Sequence, residues 1–159
     1  MCSRARLSAI EPGTNDLPRL PPFVIGTYGE NEAKKKGGIV PIIGIDHVQL
    51  AMPAGGEDLA RRFYRDVLEL TELPKPFNLA KRGGCWFGND LVKIHLGVDK
   101  DFRSATKAHP ALLVQGLEAL VQACRVAGFP VVDDEPLEGY DRTYVSDPFG
   151  NRIEVMERK

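Results

Sequence analysis

From Ile42 onward, apolar and polar positions alternate in short runs, interrupted twice by stretches with helical spacing. Ile45-Asp46-His47-Val48-Gln49-Leu50 has a period of two, as a half-buried strand does, so regular structure is expected from Ile42. Over residues 57–70 the period changes. Leu59, Ala60, Phe63, Tyr64, Val67 and Leu68 fall along one side of a helix whose first turn carries Glu57 and Asp58, which complement its dipole. After Pro74, Pro76 and Gly83-Gly84, the segments around Cys85-Trp86-Phe87 and from Leu91 to Leu96 read as strands joined at Asn89-Asp90. The order is strand, helix, then three strands.

The same order recurs downstream. His109 to Val114 reads as a strand, and 117–127 as a helix with Leu117, Leu120, Val121, Cys124 and Ala127 inward and Gly128 as its C-terminal cap. Strands are expected near Val131, from Arg142 to Ser146 and from Arg152 to Glu157. The last two are joined by Asp147-Pro148-Phe149-Gly150-Asn151. Equivalent elements stand about sixty residues apart, a duplication of pattern rather than of letters. Two βαβββ modules follow, at about 42–98 and 107–158, in an α+β domain spanning 42–159. Residues 1–41, with five prolines, Gly37-Gly38 and a Lys34-Lys35-Lys36 run beside Glu30 and Glu32, read as a flexible N-terminal extension.

Composition narrows the function. A chain of 159 residues with 43% hydrophobic and 27% charged residues suits one soluble globular domain. A formal charge of -1 supplies no field that would draw it to nucleic acid or an anionic membrane, so a small-molecule substrate is expected. No stretch resembles a signal peptide or a membrane span. Cys2, Cys85 and Cys124 are odd in number and widely spaced, as free thiols in a reducing cytoplasm would be.

The candidate chemistry lies in four residues. The three histidines all fall in expected strands: His47 opens module one, His95 closes it, and His109 opens module two; Glu154 lies in the last strand. His47 corresponds to His109 on the repeat, and His95 to Glu154. Strand alternation sets His47 and Gln49 opposite Val48 and Leu50, His95 and Lys93 opposite Ile94 and Leu96, and Arg152, Glu154 and Met156 opposite Ile153 and Val155. If the apolar faces pack on the helices, the four residues converge in a cup. Singly, each is more often a hydrogen-bonded or solvated side chain than a ligand. Together, imidazoles and a carboxylate suit one divalent transition metal, Zn, Ni, Co, Mn or Fe, with positions left for water or substrate. Gln49, Arg142, Lys93 and Tyr144 share that side and are candidates to hold substrate; Lys93 reads rather as a surface residue.

Ile45-Asp46-His47-Val48, Arg62-Phe63-Tyr64-Arg65-Asp66-Val67-Leu68 and, most specifically, Asp147-Pro148-Phe149-Gly150-Asn151-Arg152-Ile153-Glu154 resemble the vicinal-oxygen-chelate superfamily of glyoxalases, bleomycin-resistance proteins and extradiol dioxygenases. The resemblance covers about residues 43–157. It implies paired βαβββ modules forming a curved mixed-sheet cup, a homodimer that completes or shares its metal sites, and His47, His109 and Glu154 as ligands. His95 stands where glyoxalase I enzymes place a Glu. The expected activity is that of a metal-dependent lyase or isomerase. The ion chelates two adjacent oxygens of a small substrate and stabilises an enediolate-like charge, and Glu154 doubles as ligand and base. Metal-free binding of a flat drug, thiol transfer to an epoxide and dioxygenation are the alternatives in the same superfamily.

Overall fold

The period-two runs become paired strands in the computed structural model, which describes residues 42–159; the extension expected over 1–41 lies outside the described residues. Ile43–Lys159 form one compact unit. The first module runs β1 (Val48–Met52), α1 (Glu57–Ala60) continuing into a π-helical turn at Arg61–Arg65, β2 (Thr71–Leu73), α2 (Phe77–Ala80), β3 (Cys85–Gly88) and β4 (Lys93–Val98). The second runs β5 (Ala111–Leu113), α3 (Leu117–Val126), β6 (Val131–Asp133), β7 (Tyr140–Ser146) and β8 (Arg152–Arg158). Each module builds its own four-stranded mixed sheet, in the orders β1-β4-β3-β2 and β5-β8-β7-β6. In both, the first and last strands pair in parallel and the others antiparallel. The duplicated pattern is therefore a duplicated topology.

The apolar faces meet in one core. Leu50, Met52, Phe63, Tyr64, Phe87, Ile94 and Leu96 of module one join Leu117, Cys124, Val145, Ile153 and Val155 of module two. Each fully buried large apolar side chain contributes about 1.5–3 kcal/mol. Cover on one face leaves the other face of each sheet to carry polar chemistry.

Several expected boundaries shift. Ile42, Ile43 and Ile45 are 94%, 85% and 85% exposed, because pairing with β4 starts only at Val48 opposite Ile94. His47 and His109 consequently stand just before β1 and β5, and only His95 lies within a strand. The helix expected over 57–70 ends at Arg65. There the π-helical bonds Asp66 N–H to Arg61 O and Leu68 N–H to Phe63 O widen the last turn, and the chain leaves through Glu69 at φ 55. Leu59 is turned outward, while Phe63 and Tyr64 are fully buried.

The Asp147–Asn151 turn ties the modules together. Asp147 Oδ2 accepts from the buried Tyr64 hydroxyl and from Asn151 Nδ2, both at 2.8 Å, and Oδ1 accepts from the N–H groups of Phe149 and Asn151. Asn151 Nδ2 also donates to the Ala51 carbonyl of β1 at 2.8 Å, and its Oδ1 accepts from Ala105 N–H. The Phe149 ring covers Gly56, where a Cβ would stand 2.7 Å from it. One polar turn thereby fixes β8, and with it Glu154, relative to β1.

Candidate metal centre

Strand register builds the site in two halves. In module one, Gln49 lies opposite His95 and His95 opposite Trp86; in module two, Ala111 lies opposite Glu154 and Glu154 opposite Tyr144. His95 and Glu154 occupy equivalent places in the two sheets, as do Trp86 and Tyr144. His47 and His109 each stand two residues before the first member of the row.

His95, only 8% exposed, is held between two rings: Trp86 at 4.1 Å and 7°, and His47 at 4.0 Å and 21°. Burial, and then the charge of His47, pull its pKa below the usual imidazole value, so it is neutral at physiological pH and able to donate a lone pair. His47 Nδ1 lies 2.8 Å from Asp46 Oδ1, and Asp46 also accepts from Lys93 Nζ at 3.1 Å. These contacts, that of His47 foremost, hold the Asp46 carboxyl below its usual range.

His109 is tied in the same way, its Nδ1 lying 2.8 Å from the Lys107 carbonyl oxygen. A carbonyl only accepts, so Nδ1 carries a hydrogen; this assignment follows from the partner's chemistry. His109 Nε2 then faces Glu154 Oε2 at 3.3 Å. Two lone-pair atoms at that separation repel unless a proton or a cation lies with them. Glu154, 7% exposed, has its other oxygen on Arg142 Nη1 at 2.7 Å. Arg142 further pairs with Asp134 at 2.9 Å, donates to the Glu135 carbonyl and reaches the Tyr144 hydroxyl at 3.2 Å.

Fixing Nδ1 on an oxygen is how proteins free the Nε2 lone pair of a metal-binding histidine. His47 and His109 both show it, and imidazole with carboxylate is a suitable donor set for a divalent transition metal. Within one chain the halves stay apart: among the described residues no group of three or more His, Cys, Asp or Glu side chains is close enough to hold an ion. His47 and His109 both border a cleft of about 650 Å³ between β1 and β5, which Gln49 and Lys93 also line. Gln49 lies against Gly97.

Sequence reasoning did not place Trp86 or Asp46 in the site, and it set Arg152 on the Glu154 face of the last strand without giving it a role. Counting back through the Asn89-Asp90 hairpin would have set Trp86 across from His95; the contacts of Asp46 and Arg152 carry no pattern along the chain. Cys85, expected as a free thiol, is buried, with its thiol pushed up to about 11, first by burial and then by Glu72.

Repeated βαβββ sheets with polar open faces define the glyoxalase/bleomycin-resistance fold. A glyoxalase family protein from Bacillus anthracis is 48% identical over 77% of this chain and 100% of its own, with a TM-score of 0.72. The chain belongs to the glyoxalase family, within the vicinal-oxygen-chelate superfamily. At lower identity, the fosfomycin resistance protein FosX of Listeria monocytogenes shares the fold (16%, TM-score 0.58, 75% of this chain and 94% of that one), as does FosX of Mesorhizobium loti (14%, TM-score 0.56, 72% and 91%). No family model and no curated protein matches the chain. No helix of the described residues is long and apolar enough to cross a membrane.

Proposed function

We propose that the protein is a metal-dependent lyase or isomerase of the glyoxalase type, acting on a small substrate with two adjacent oxygens. The observation that carries this reading is the pair of Nδ1-tied histidines, one in each module, with Glu154 facing His109 Nε2 across 3.3 Å. His47, His95, His109 and Glu154 would hold the ion. Because the two pairs stay apart in one chain, the reading includes a homodimer in which the open face of module one in one copy meets that of module two in the other. Ile45 and Leu91, both strongly exposed and lining the cleft, suit such a contact.

When bound, the ion supplies Lewis acidity to the chelated oxygens. The remaining work falls to the chain. Glu154 is the base, its Oε2 taking the proton from the carbon beside the polarised carbonyl, and Arg142, on the other oxygen, orients that carboxylate. Gln49 and the Tyr144 hydroxyl contact substrate oxygens. The test is solvent-deuterium exchange into small α-hydroxy and α-oxo carbonyl compounds, followed by NMR with metal-loaded protein. Exchange should exceed that of chelator-treated protein and fall by about a hundredfold or more in Glu154→Gln. Exchange no faster than in buffer across the panel would contradict the reading.

The Trp86–His95–His47 stack favours one second reading, metal-free sequestration of a flat ring system, as in bleomycin-resistance relatives. Its signature is a higher melting temperature with flat aromatic compounds in the presence of chelator, abolished by Trp86→Ala.

A further inference from the structure

Two arginines lie on the open face of module two, and the structure treats them differently. Arg142 is committed to Glu154, Asp134 and the Glu135 carbonyl. Arg152 is not. Its guanidinium lies flat on Tyr144, with Cζ 3.5 Å from the ring centroid. Among the described residues it forms no ion pair. Nη1 reaches only the Thr106 carbonyl, at the 3.5 Å limit of a hydrogen bond, and Nε is buried without any partner. A half-buried cation held by stacking and one hydrogen bond at the distance limit, with Nη2 unclaimed, is preorganised for a ligand that brings its own acceptors.

We infer that Arg152 is the anion-binding residue of the site and takes an oxyanion group of the substrate end-on through Nη1 and Nη2. This rests on the same face being the substrate site. Arg152 and Glu154 are alternate residues of β8, so their side chains leave one face of the strand about 6–7 Å apart. The substrate that spans them is a short acid of roughly three to five carbons, with its anionic end on Arg152 and its adjacent oxygens toward Glu154 and His109. The Tyr144 ring, edge-on to His109 at 5.2 Å and beneath Arg152, forms the floor between the two ends.

The experiment titrates the full chain with inorganic phosphate and with propionate, by NMR and calorimetry, once with chelator and once with added zinc, with metal content measured separately. Wild-type protein should bind at least one of the two in both conditions, and the one that binds identifies the anion as phosphate-like or carboxylate. Arg152→Met should weaken that binding by about tenfold or more, and Arg152→Lys should keep part of it, because the charge remains while the planar donor pair is lost. A thermal melt establishes that Arg152→Met is folded; if it is not, Arg152→Lys against wild type carries the test. Binding unaltered in the variants, or absent from wild type, overturns the assignment. The chelator arm stands whether or not the protein proves to be a metalloenzyme.

Discussion

At the residue scale, what matters is which atoms are already engaged. The Tyr64 hydroxyl is a buried donor to Asp147, and burial pushes the Asp147 carboxyl up against the pull of its hydrogen bonds. Tyr64→Phe removes one of those bonds with no change of shape. The expected loss is about 1–2 kcal/mol in urea unfolding. Glu157 shows the opposite shift. The N–H groups of Gly116 and then Leu117 hold its carboxyl below the ordinary value, and both bonds cap the start of α3. A depressed carboxyl stabilises the fold above its unfolded pKa, and that contribution is lost as pH falls through the lower folded value. Glu157→Gln should therefore lower the melting temperature at neutral pH, and the gap to wild type should close in strong acid. The ligand candidates were legible because the chain has three histidines, and the repeat puts two of them in matching places. Their hydrogen-bonding state was not, since it depends on Asp46, the Lys107 carbonyl and the Trp86 ring, which only folding brings to bear.

At the element scale, alternation gave reliable strand faces and less reliable strand ends. Ile94 and Leu96 point inward and His95 outward, as their spacing implies, yet Ile45 alternates correctly and has no neighbouring strand to pair with. Burial on one face can be read from period; the reach of a partner strand cannot. The π-helical turn was hidden for a similar reason. An α-helix and an α-helix widened by one residue share most of their apolar positions. Gly84 marks where an element cannot bear a side chain. It has φ +75, and a Cβ would run into the Leu96 carbonyl of the neighbouring strand. Gly84→Ala should cost about 1–3 kcal/mol from backbone conformation alone, more once β4 must shift, and circular dichroism melts should show it.

At the scale of the whole molecule, the duplicated topology explains why the donors come in pairs and why one copy keeps the pairs apart. The sequence carries the duplication plainly, in elements about sixty residues apart, but not the separation, because a single expected cup and two separate sheets have the same pattern along the chain. If two copies complete each centre, mixing His47→Ala with Glu154→Ala should restore one intact site in each mixed dimer, about a quarter of an ion per chain overall. Sites confined to one chain would restore none. If the two modules together hold one divalent transition metal through His47, His109 and Glu154, with His95 beside them, the ion should accompany the purified protein. Elemental analysis of the purified full chain by plasma mass spectrometry, with His47→Ala, His109→Ala and Glu154→Ala alongside, tests it most directly. The wild type should carry about one transition-metal ion per chain and variants that remain folded almost none; a wild-type protein that carries no ion and takes up none when offered would contradict a shared metal centre.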